Sequence, residues 1–399
     1  MSQNRFQSKR ARKTSFHRRS RLRLETASGS ARSLKKIRYA VVALGHIAQV
    51  AVLPGFGHAK RNSELVAIFS DNPTKRRELR RRYRIPAALS YDQFDDFLKR
   101  KQADAVYIAL PNSMHKDFTI RAAEAGAHVL CEKPLGVTAR ECETMIAACK
   151  RNRVKLMTAY RLHLEKSNLE AVKIAQSGKL GELRYFNSIF SMQAREPNIR
   201  LEKELGGGPL RDLGIYCINA TRYLFGSEPI EVSGMTATGD DDRFTEVEEM
   251  VAATMRFPKE RLETFVCSFG ATDKATYELV GTEGSVKLTN AYEYASPIQM
   301  EINIGDKKQT REFAKRDQFA AELIYFSDCI LKNKEPEPSG QEGLADMRII
   351  DAIYESAKRT KPVKIRRISK RWQPTEKQEI HRPPVKKPEL VDAKSGSED

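Results

Sequence analysis

The sequence predicts two packed units in series: a doubly wound, parallel α/β sheet, then an α+β unit whose mostly antiparallel, open-faced sheet carries helices on one side. Three observations predict this. The 399 residues exceed the size, roughly 250 to 300 residues, at which a single core stops growing. Over residues 37–159 short continuous apolar runs alternate with helical patterns, as a parallel sheet covered on both faces requires. Beyond Tyr160 the runs become β-rich and partly alternating, which marks antiparallel strands with one solvated face.

The first unit opens with an apolar run over residues 37–44 that ends at Gly45 and passes into a helical pattern through Ile47, Val50 and Leu53. A second run, 65–69, leads through Asp71-Asn72-Pro73 into a charged helix from Thr74 to Tyr83. An amphipathic stretch over 91–99, a run over 105–110 stopped by Pro111, a helix through Glu124 and a strand over 128–131 follow. A helix over 139–151 and a strand over 155–159 complete the unit, read as a doubly wound dinucleotide-binding (Rossmann) domain. In the second unit a helix is expected over 168–177 and strands over 183–190, 231–237, 251–257, 261–269, 276–280 and 284–288. A glycine-rich insertion, Gly206-Gly207-Gly208-Pro209, leads into an apolar helix over 210–224. Helices over 318–331 and 340–358 are expected to finish this unit. The domain plan is therefore a basic arm over 1–36, a dinucleotide-binding domain over 37–159, a substrate and oligomerisation domain over 160–362, and a basic tail over 363–399.

The net charge of +18 suggests a nucleic-acid binder until it is divided along the chain. Residues 1–36 hold 12 Lys/Arg against Glu25 alone, and residues 363–399 hold 10 against 6 acidic residues. The body between them carries 48 basic and 45 acidic residues, so only the ends are basic. Both ends read as solvated, disordered segments too polar to offset their ordering entropy. Nucleic-acid contact is expected only through them. No apolar segment follows Arg18-Arg19-Ser20-Arg21, which argues against export, and no run approaches the about 18 apolar residues of a membrane span. The six scattered cysteines form no C-x-x-C pair, so no metal site is indicated, and a reducing cytoplasm is the expected compartment.

The first strand-to-helix turn, Ala43-Leu44-Gly45-His46-Ile47-Ala48, is a G-x-G-x-x-G/A fingerprint with alanine at its first glycine. Gly45 still permits backbone N–H groups to approach a pyrophosphate, and His46 and Ile47 border it. An NAD-preferring fold ends its second strand with an acidic reader of the ribose hydroxyls; here Ser70 stands at that place, followed by Lys75, Arg76 and Arg77. That pattern points to the 2′-phosphate of NADP rather than to NAD, while Asp71, one position later, keeps the NAD reading open.

Three further segments stand in order: Pro111-Asn112-Ser113-Met114-His115, then Cys131-Glu132-Lys133-Pro134, then residues 206–216 ending Arg211-Asp212-Leu213-Gly214-Ile215-Tyr216. Together they resemble the Gfo/Idh/MocA oxidoreductases over approximately residues 37 to 362. Residues 105–113, 159–163 and 212–216 are most similar to the branch of glucose-fructose oxidoreductase and NADP-dependent sugar dehydrogenases. The resemblance implies hydride transfer between a sugar or polyol carbon and nicotinamide, with a side chain taking the hydroxyl proton. It places Tyr216 where many members have a histidine base. A free tyrosine titrates near pH 10, so a cation must hold a usable phenolate, and Lys133 is the expected neighbour. Asp212, one helical turn before Tyr216, would orient the substrate or Lys133. The family pattern further implies that Glu132 and Asn112 hold the nicotinamide ribose and that Pro111 and His115 line the same edge. Arg161 and Arg200 match positions near cofactor and substrate, although Ile199 replaces a tryptophan that often precedes the second arginine. A cis peptide before Pro134 is also expected.

The expected protein is thus a cytoplasmic, NADP-linked oxidoreductase of a sugar or polyol, assembled as a homodimer or homotetramer through the uncovered face of its second sheet. A cofactor-retaining sugar-sugar oxidoreductase and a non-catalytic dinucleotide sensor are the alternatives.

Overall fold

A computed structural model describes residues 35–366 and 373–394. The basic arm over residues 1–34 and Trp372 lie outside the described residues.

Six parallel strands form the first sheet: β1 (Ile37–Val42), β2 (Ser63–Phe69), β3 (Ala87–Leu89), β4 (Ala105–Ile108), β5 (His128–Cys131) and β6 (Leu156–Thr158). Their spatial order is β3-β2-β1-β4-β5-β6, so the chain reverses direction between β1 and β4, the crevice where such sheets bind ligands. β1, β4 and β5 are buried along almost their whole length because helices cover both faces, which is why they read as unbroken apolar runs. After β1 a π-helical turn, Ala48–Val52, runs into the short α1 (Leu53–Gly55). The remaining helices of this region are α2 (Pro73–Tyr83), α3 (Phe94–Lys99), α4 (His115–Glu124) and α5 (Ala139–Arg151). α2 starts where Asn72 accepts from the Lys75 backbone N–H at 3.0 Å, with Pro73 in its first turn.

The second sheet has nine strands: β7 (Leu183–Ser191), β8 (Glu231–Ala237), β9 (Met250–Phe257), β10 (Arg261–Ser268), β11 (Lys274–Gly281), β12 (Gly284–Thr289), β13 (Ile298–Ile304), β14 (Lys307–Phe313) and β15 (Val363–Lys364). Their order is β14-β13-β12-β11-β7-β10-β9-β8-β15, antiparallel except where β7 pairs with β10. Inward residues such as Phe186, Phe265, Cys267, Tyr277 and Leu279 are buried. Helices α6 (Lys166–Gln176), α7 (Ile215–Phe225) and α9 (Gly340–Arg359) complete this part of the core. The outward face keeps Tyr185, Ile189, Leu262 and Val266 exposed, and the register sets Leu262 beside Tyr185 and Val266 beside Ile189.

Two expectations are corrected. α8 (Gln318–Leu331), read as finishing the second unit, packs instead on the first sheet. Its Phe319, Leu323, Ile324 and Phe326 join Tyr39, Val41, Ile68 and Tyr107 in one apolar cluster. Polar contacts pin it there: Tyr39 Oη and Ser63 Oγ meet Ser327 Oγ at 2.9 and 2.8 Å. An amphipathic pattern gives a helix its buried face but not the sheet that receives it.

The run over 363–399 is not a solvated tail where it is described. Residues 373–394 lie along the body, with Ile380, Leu390 and Val391 packed against the same cluster. Composition averaged over the run hides three apolar anchors set among charges and prolines. Successive contacts tie the segment down: Lys173 to Glu376 at 3.0 Å, Arg316 to Glu379 at 2.7 Å, and Arg382 Nε donating to the His58 carbonyl at 3.1 Å.

Candidate active site

The site forms at the carboxyl edge of the first sheet, where the turns after β1, β4, β5 and β6 face the N-terminal end of α7. Ala43, at the fingerprint's first position, has φ +77, a left-handed conformation in which a side chain is strained. The turn thus keeps the backbone shape that glycine ordinarily supplies. A Cβ built on Gly45 meets no protein atom within 4 Å, so this glycine faces open space, as close approach of a pyrophosphate to the backbone requires. His46 and Ile47 are half-buried in the same turn.

At the end of β2, Ser70 is buried and its hydroxyl accepts from the Asn72 N–H at 3.2 Å, while Arg76 donates to the Ser70 carbonyl. Asp71 caps the next loop by accepting from the Tyr91 N–H at 3.1 Å. Lys75 and Arg76 follow on α2, and Asn72 donates to the Asp392 carboxylate at 3.4 Å.

β5 delivers Glu132 and Lys133 side by side, and the Lys133–Pro134 peptide is cis, as expected. Lys133 Nζ donates to Asp212 Oδ1 at 2.7 Å and to the Asp212 carbonyl at 2.8 Å. The other oxygen of Asp212 accepts from Arg200 Nε at 2.6 Å. Burial alone would raise the Asp212 carboxyl; the charges of Arg200 and Lys133 override it and hold the group well below the usual carboxylate range. Burial would likewise strip the Lys133 proton, yet Asp212 outweighs it and the ammonium persists.

Tyr216 stands on the first turn of α7, half-buried, with its ring edge-on to Phe190 at 5.5 Å. Lys133 was expected to supply the cation at its hydroxyl. The structure divides that task. Lys133 Nζ lies 4.7 Å from the centre of the Tyr216 ring, whereas the hydroxyl accepts from Arg161 Nη2 at 3.2 Å. Arg161 is itself buried and donates to the Tyr292 carbonyl and to Gln318 on α8. Sequence reasoning placed Arg161 near the cofactor; its direct contact with Tyr216 and the anchoring by Tyr292 and Gln318 carried no readable signal.

The remaining candidates meet at the same edge with different partners. Tyr107 on β4 donates to Glu132 Oε1 at 2.7 Å, and burial raises the Glu132 carboxyl. Behind it lies a residue that sequence reasoning missed: Glu322 of α8, fully buried and pushed well above the usual range by burial and then by the charge of Glu132. Asn112 donates to the Gly206 carbonyl at 2.9 Å. A Cβ on Gly206, at φ +81, would strike Val137 and Asn112 at 2.4 and 2.9 Å, so the glycine run lets the 198–212 segment close onto the first sheet. Pro111 precedes the 3-10 turn that carries Asn112. His115 is fully buried, and both ring nitrogens lie 2.9 Å from carbonyls, those of Pro134 and Leu110. It joins the turns after β4 and β5 and presents no free polar atom to the cleft.

Three charges therefore surround one phenol: Arg161 at the oxygen, Lys133 on the ring, and Asp212 fixing Lys133. Such a set places cations where a phenolate, the form of a phenol that is able to accept a proton, would be stabilised. Among the described residues no group of three His, Cys, Asp or Glu could hold a metal ion.

Comparison with known proteins agrees with this geometry. The NAD-binding Rossmann-fold domain of the oxidoreductase family matches residues 37–160, and the Gfo/Idh/MocA C-terminal domain matches residues 168–287. The chain is 27% identical over 335 residues to D-xylose 1-dehydrogenase [NADP(+)] of Haloarcula marismortui, a match covering 82% of this chain and 93% of that protein. It is 32% identical over 332 residues to an uncharacterized oxidoreductase of Rhizobium meliloti, covering 81% and 97%. Among solved structures, the aldose-aldose oxidoreductase of Caulobacter crescentus complexed with glycerol superposes with a TM-score of 0.79 at 37% identity, covering 83% of this chain and all of that one. With both domains matched in order, and a relative of 32% identity matched over 97% of its length, the chain belongs to the Gfo/Idh/MocA family of oxidoreductases.

Proposed function

We propose that the protein is an NADP-linked oxidoreductase that acts on an aldose sugar, with Tyr216 as the proton acceptor. The observation that carries this reading is the Arg161 hydrogen bond to the Tyr216 hydroxyl, at 3.2 Å, beside the Lys133–Asp212 pair. The nicotinamide of a bound dinucleotide would supply the hydride acceptor. The chain's own residues do the rest. Gly45 leaves room for the pyrophosphate at the first turn, and Glu132 and Asn112 face the nicotinamide ribose. Ser70, Lys75 and Arg76 receive the 2′-phosphate. The Tyr216 oxygen takes the hydroxyl proton of the sugar as hydride leaves the same carbon. Arg161 stabilises the phenolate, and Lys133, locked by Asp212, orients the hydroxyl. Arg200 positions Asp212 from the substrate side.

NADP, rather than NAD, is supported by Ser70 at the end of β2, by Lys75 and Arg76 after it, and by the name of the Haloarcula relative. The aldose class is supported by the names of that dehydrogenase and of the Caulobacter enzyme. The second of these favours a further reading, in which the cofactor stays bound and cycles between two sugars. Near-UV absorbance of the purified protein tests both. A reduced-nicotinamide band that rises on adding D-glucose or D-xylose alone indicates a retained cofactor. A band that rises only with added NADP indicates an exchangeable dehydrogenase. No band with any aldose and either NADP or NAD refutes the proposal.

The domain plan, substrate binding by the second sheet's region and dinucleotide binding by the first, belongs to the same proposal. So does a homodimer: the outward Tyr185–Leu262 and Ile189–Val266 pairs are two apolar spots on paired strands, with the exposed Asn187–Thr264 pair between them, and suit burial against a second copy. All six cysteines are buried and unpaired, which supports a reducing, cytoplasmic location, and no helix among the described residues is long and apolar enough to cross a membrane.

A further inference from the structure

The segment 389–392 crosses the first sheet at a place with consequences for the cofactor. Gln49, fully buried in the first turn after the glycine loop, donates from Nε2 to the Leu44 carbonyl at 2.9 Å and to the Val391 carbonyl at 2.9 Å. Its Oε1 accepts from the Val391 N–H at 2.8 Å. One side chain thus joins the fingerprint turn to the chain's far end. One residue on, Asp392 accepts from Asn72 Nδ2 at 3.4 Å, and Asn72 caps α2 directly after β2. One residue before Leu390, the Glu389 carbonyl accepts from Arg82 of α2. Residues 389–392 therefore bridge the turn after β1 and the turn after β2. In a doubly wound sheet the adenosine half of a dinucleotide lies between those two turns.

We infer that residues 389–392 form the outer wall of the adenosine half of the dinucleotide cleft, with Gln49 as the positioning residue that holds this wall to the glycine loop. The inference rests on the dinucleotide reading above. The attachment is suited to the task. Leu390 and Val391 are packed against the apolar cluster beneath β1, and the paired backbone hydrogen bonds to Gln49 fix one register. A dinucleotide leaving the cleft must first lift this strap, so the strap slows exchange without touching the reacting carbon.

Val391→Pro in the full chain removes the N–H that Gln49 Oε1 accepts and leaves Lys133, Tyr216 and Asp212 untouched. NADPH bound to each protein is chased with excess NADP, and the loss of its fluorescence is followed by stopped flow. Release about three- to tenfold faster in the variant is the expected result, since one net hydrogen bond is lost. Limited trypsin digestion of the wild-type chain gives a readout besides activity. NADP should slow cleavage after Lys386, in the strap's approach, and should not do so in the variant. Equal release rates and equal cleavage overturn the inference. Tighter binding or slower release by the variant also overturns it, because the segment would then be occupying the cleft rather than walling it. A wild-type chain that binds no NADPH overturns the dinucleotide reading itself, a result distinct from equal release.

Discussion

Asp212→Asn keeps the shape of the site and removes the negative charge shared by Lys133 and Arg200. In the folded protein that carboxylate makes contacts of 2.7 Å to Lys133 and 2.6 Å to Arg200. Breaking a fully buried pair by removing one partner costs about 3 to 5 kcal/mol. Here the Lys133 and Asp212 side chains retain 12% and 18% exposure and Arg200 retains 36%, so solvent screens part of that, the Arg200 arm most. A loss near 2 kcal/mol at pH 7 follows. The pH dependence has a fixed sign. The folded carboxyl titrates below its unfolded value, so its contribution is complete above about pH 4 and is lost as pH falls through the folded value. The variant should therefore be less stable than wild type at pH 7, and the difference should shrink as pH falls below about 4. Lys133, no longer opposed by Asp212, loses its proton more readily, so the alkaline limb of kcat/KM moves to lower pH. Freed of its two bonds to Asp212, the ammonium also loses its fixed position, for which about a hundredfold fall in kcat/KM is expected. Urea midpoints at pH 7 and pH 3, with kcat/KM across pH, measure all three. A wild-type midpoint at pH 7 together with a wild-type rate refutes the assignment of Asp212 as the anchor of Lys133.

Arg161→Lys keeps a charge but loses the fork that reaches Tyr216, Tyr292 and Gln318 at once. Turnover should fall at least about tenfold; an unchanged rate removes Arg161 from the phenol. Glu263 is fully buried on the inner face of the second sheet, and burial raises its carboxyl well above the usual range, so stability is lost as pH rises from about 4 through the folded value. Glu263→Gln should thus gain about 1 to 2 kcal/mol at pH 8 and little at pH 4, read from urea midpoints; equal gains at both would show that ionisation is not the cause. Leu262→Asp, on the exposed face beside Tyr185, should shift sedimentation from dimer to monomer at micromolar concentration, and a wild-type chain that sediments as monomer sinks the interface.

Which parts were legible in the sequence follows from where the information lies. The strands of the first sheet are visible because burial on both faces demands unbroken apolar runs, as in Tyr39 to Val42 and Ala105 to Ile108. β14 was not, because six of its seven residues are exposed at the sheet edge and carry no apolar alternation. The β13 strand beside it alternates, but without its edge partner the hairpin had no second half to anchor it. α8 was legible as a helix and misplaced as to its neighbour, since its apolar face suits either sheet. In the site, Lys133, Asp212 and Tyr216 were found as residues, and the structure brings all three together. Their wiring was not legible: chain order put Lys133 at the phenol, while the fold puts Arg161 there. The distance between Arg161 and Tyr216 is a property of how the turn after β6 meets α7, which no local pattern encodes.

That wiring bears on the proposed base role of Tyr216, at a place where the resemblance implies a histidine in many members of the family. Histidine accepts a proton near neutral pH unaided, whereas a phenol needs positive potential to do so. Around Tyr216 the structure sets Lys133, Arg161 and Arg200, with Asp212 the anion that holds two of them in place. If Asp212 neutralised its partners fully, the phenol would gain nothing from them. It cannot, because one carboxylate faces two cations and the third, Arg161, is held by neutral acceptors, the Tyr292 carbonyl and Gln318. Arg161 is the cation in contact with the hydroxyl, and the Glu293 carboxylate acts on it from outside the phenol. Replacing Gln318 by Glu would test this balance by adding a charge behind Arg161 without touching Tyr216. kcat/KM should then fall, and a value identical to wild type would show that Arg161 does not act on the phenol.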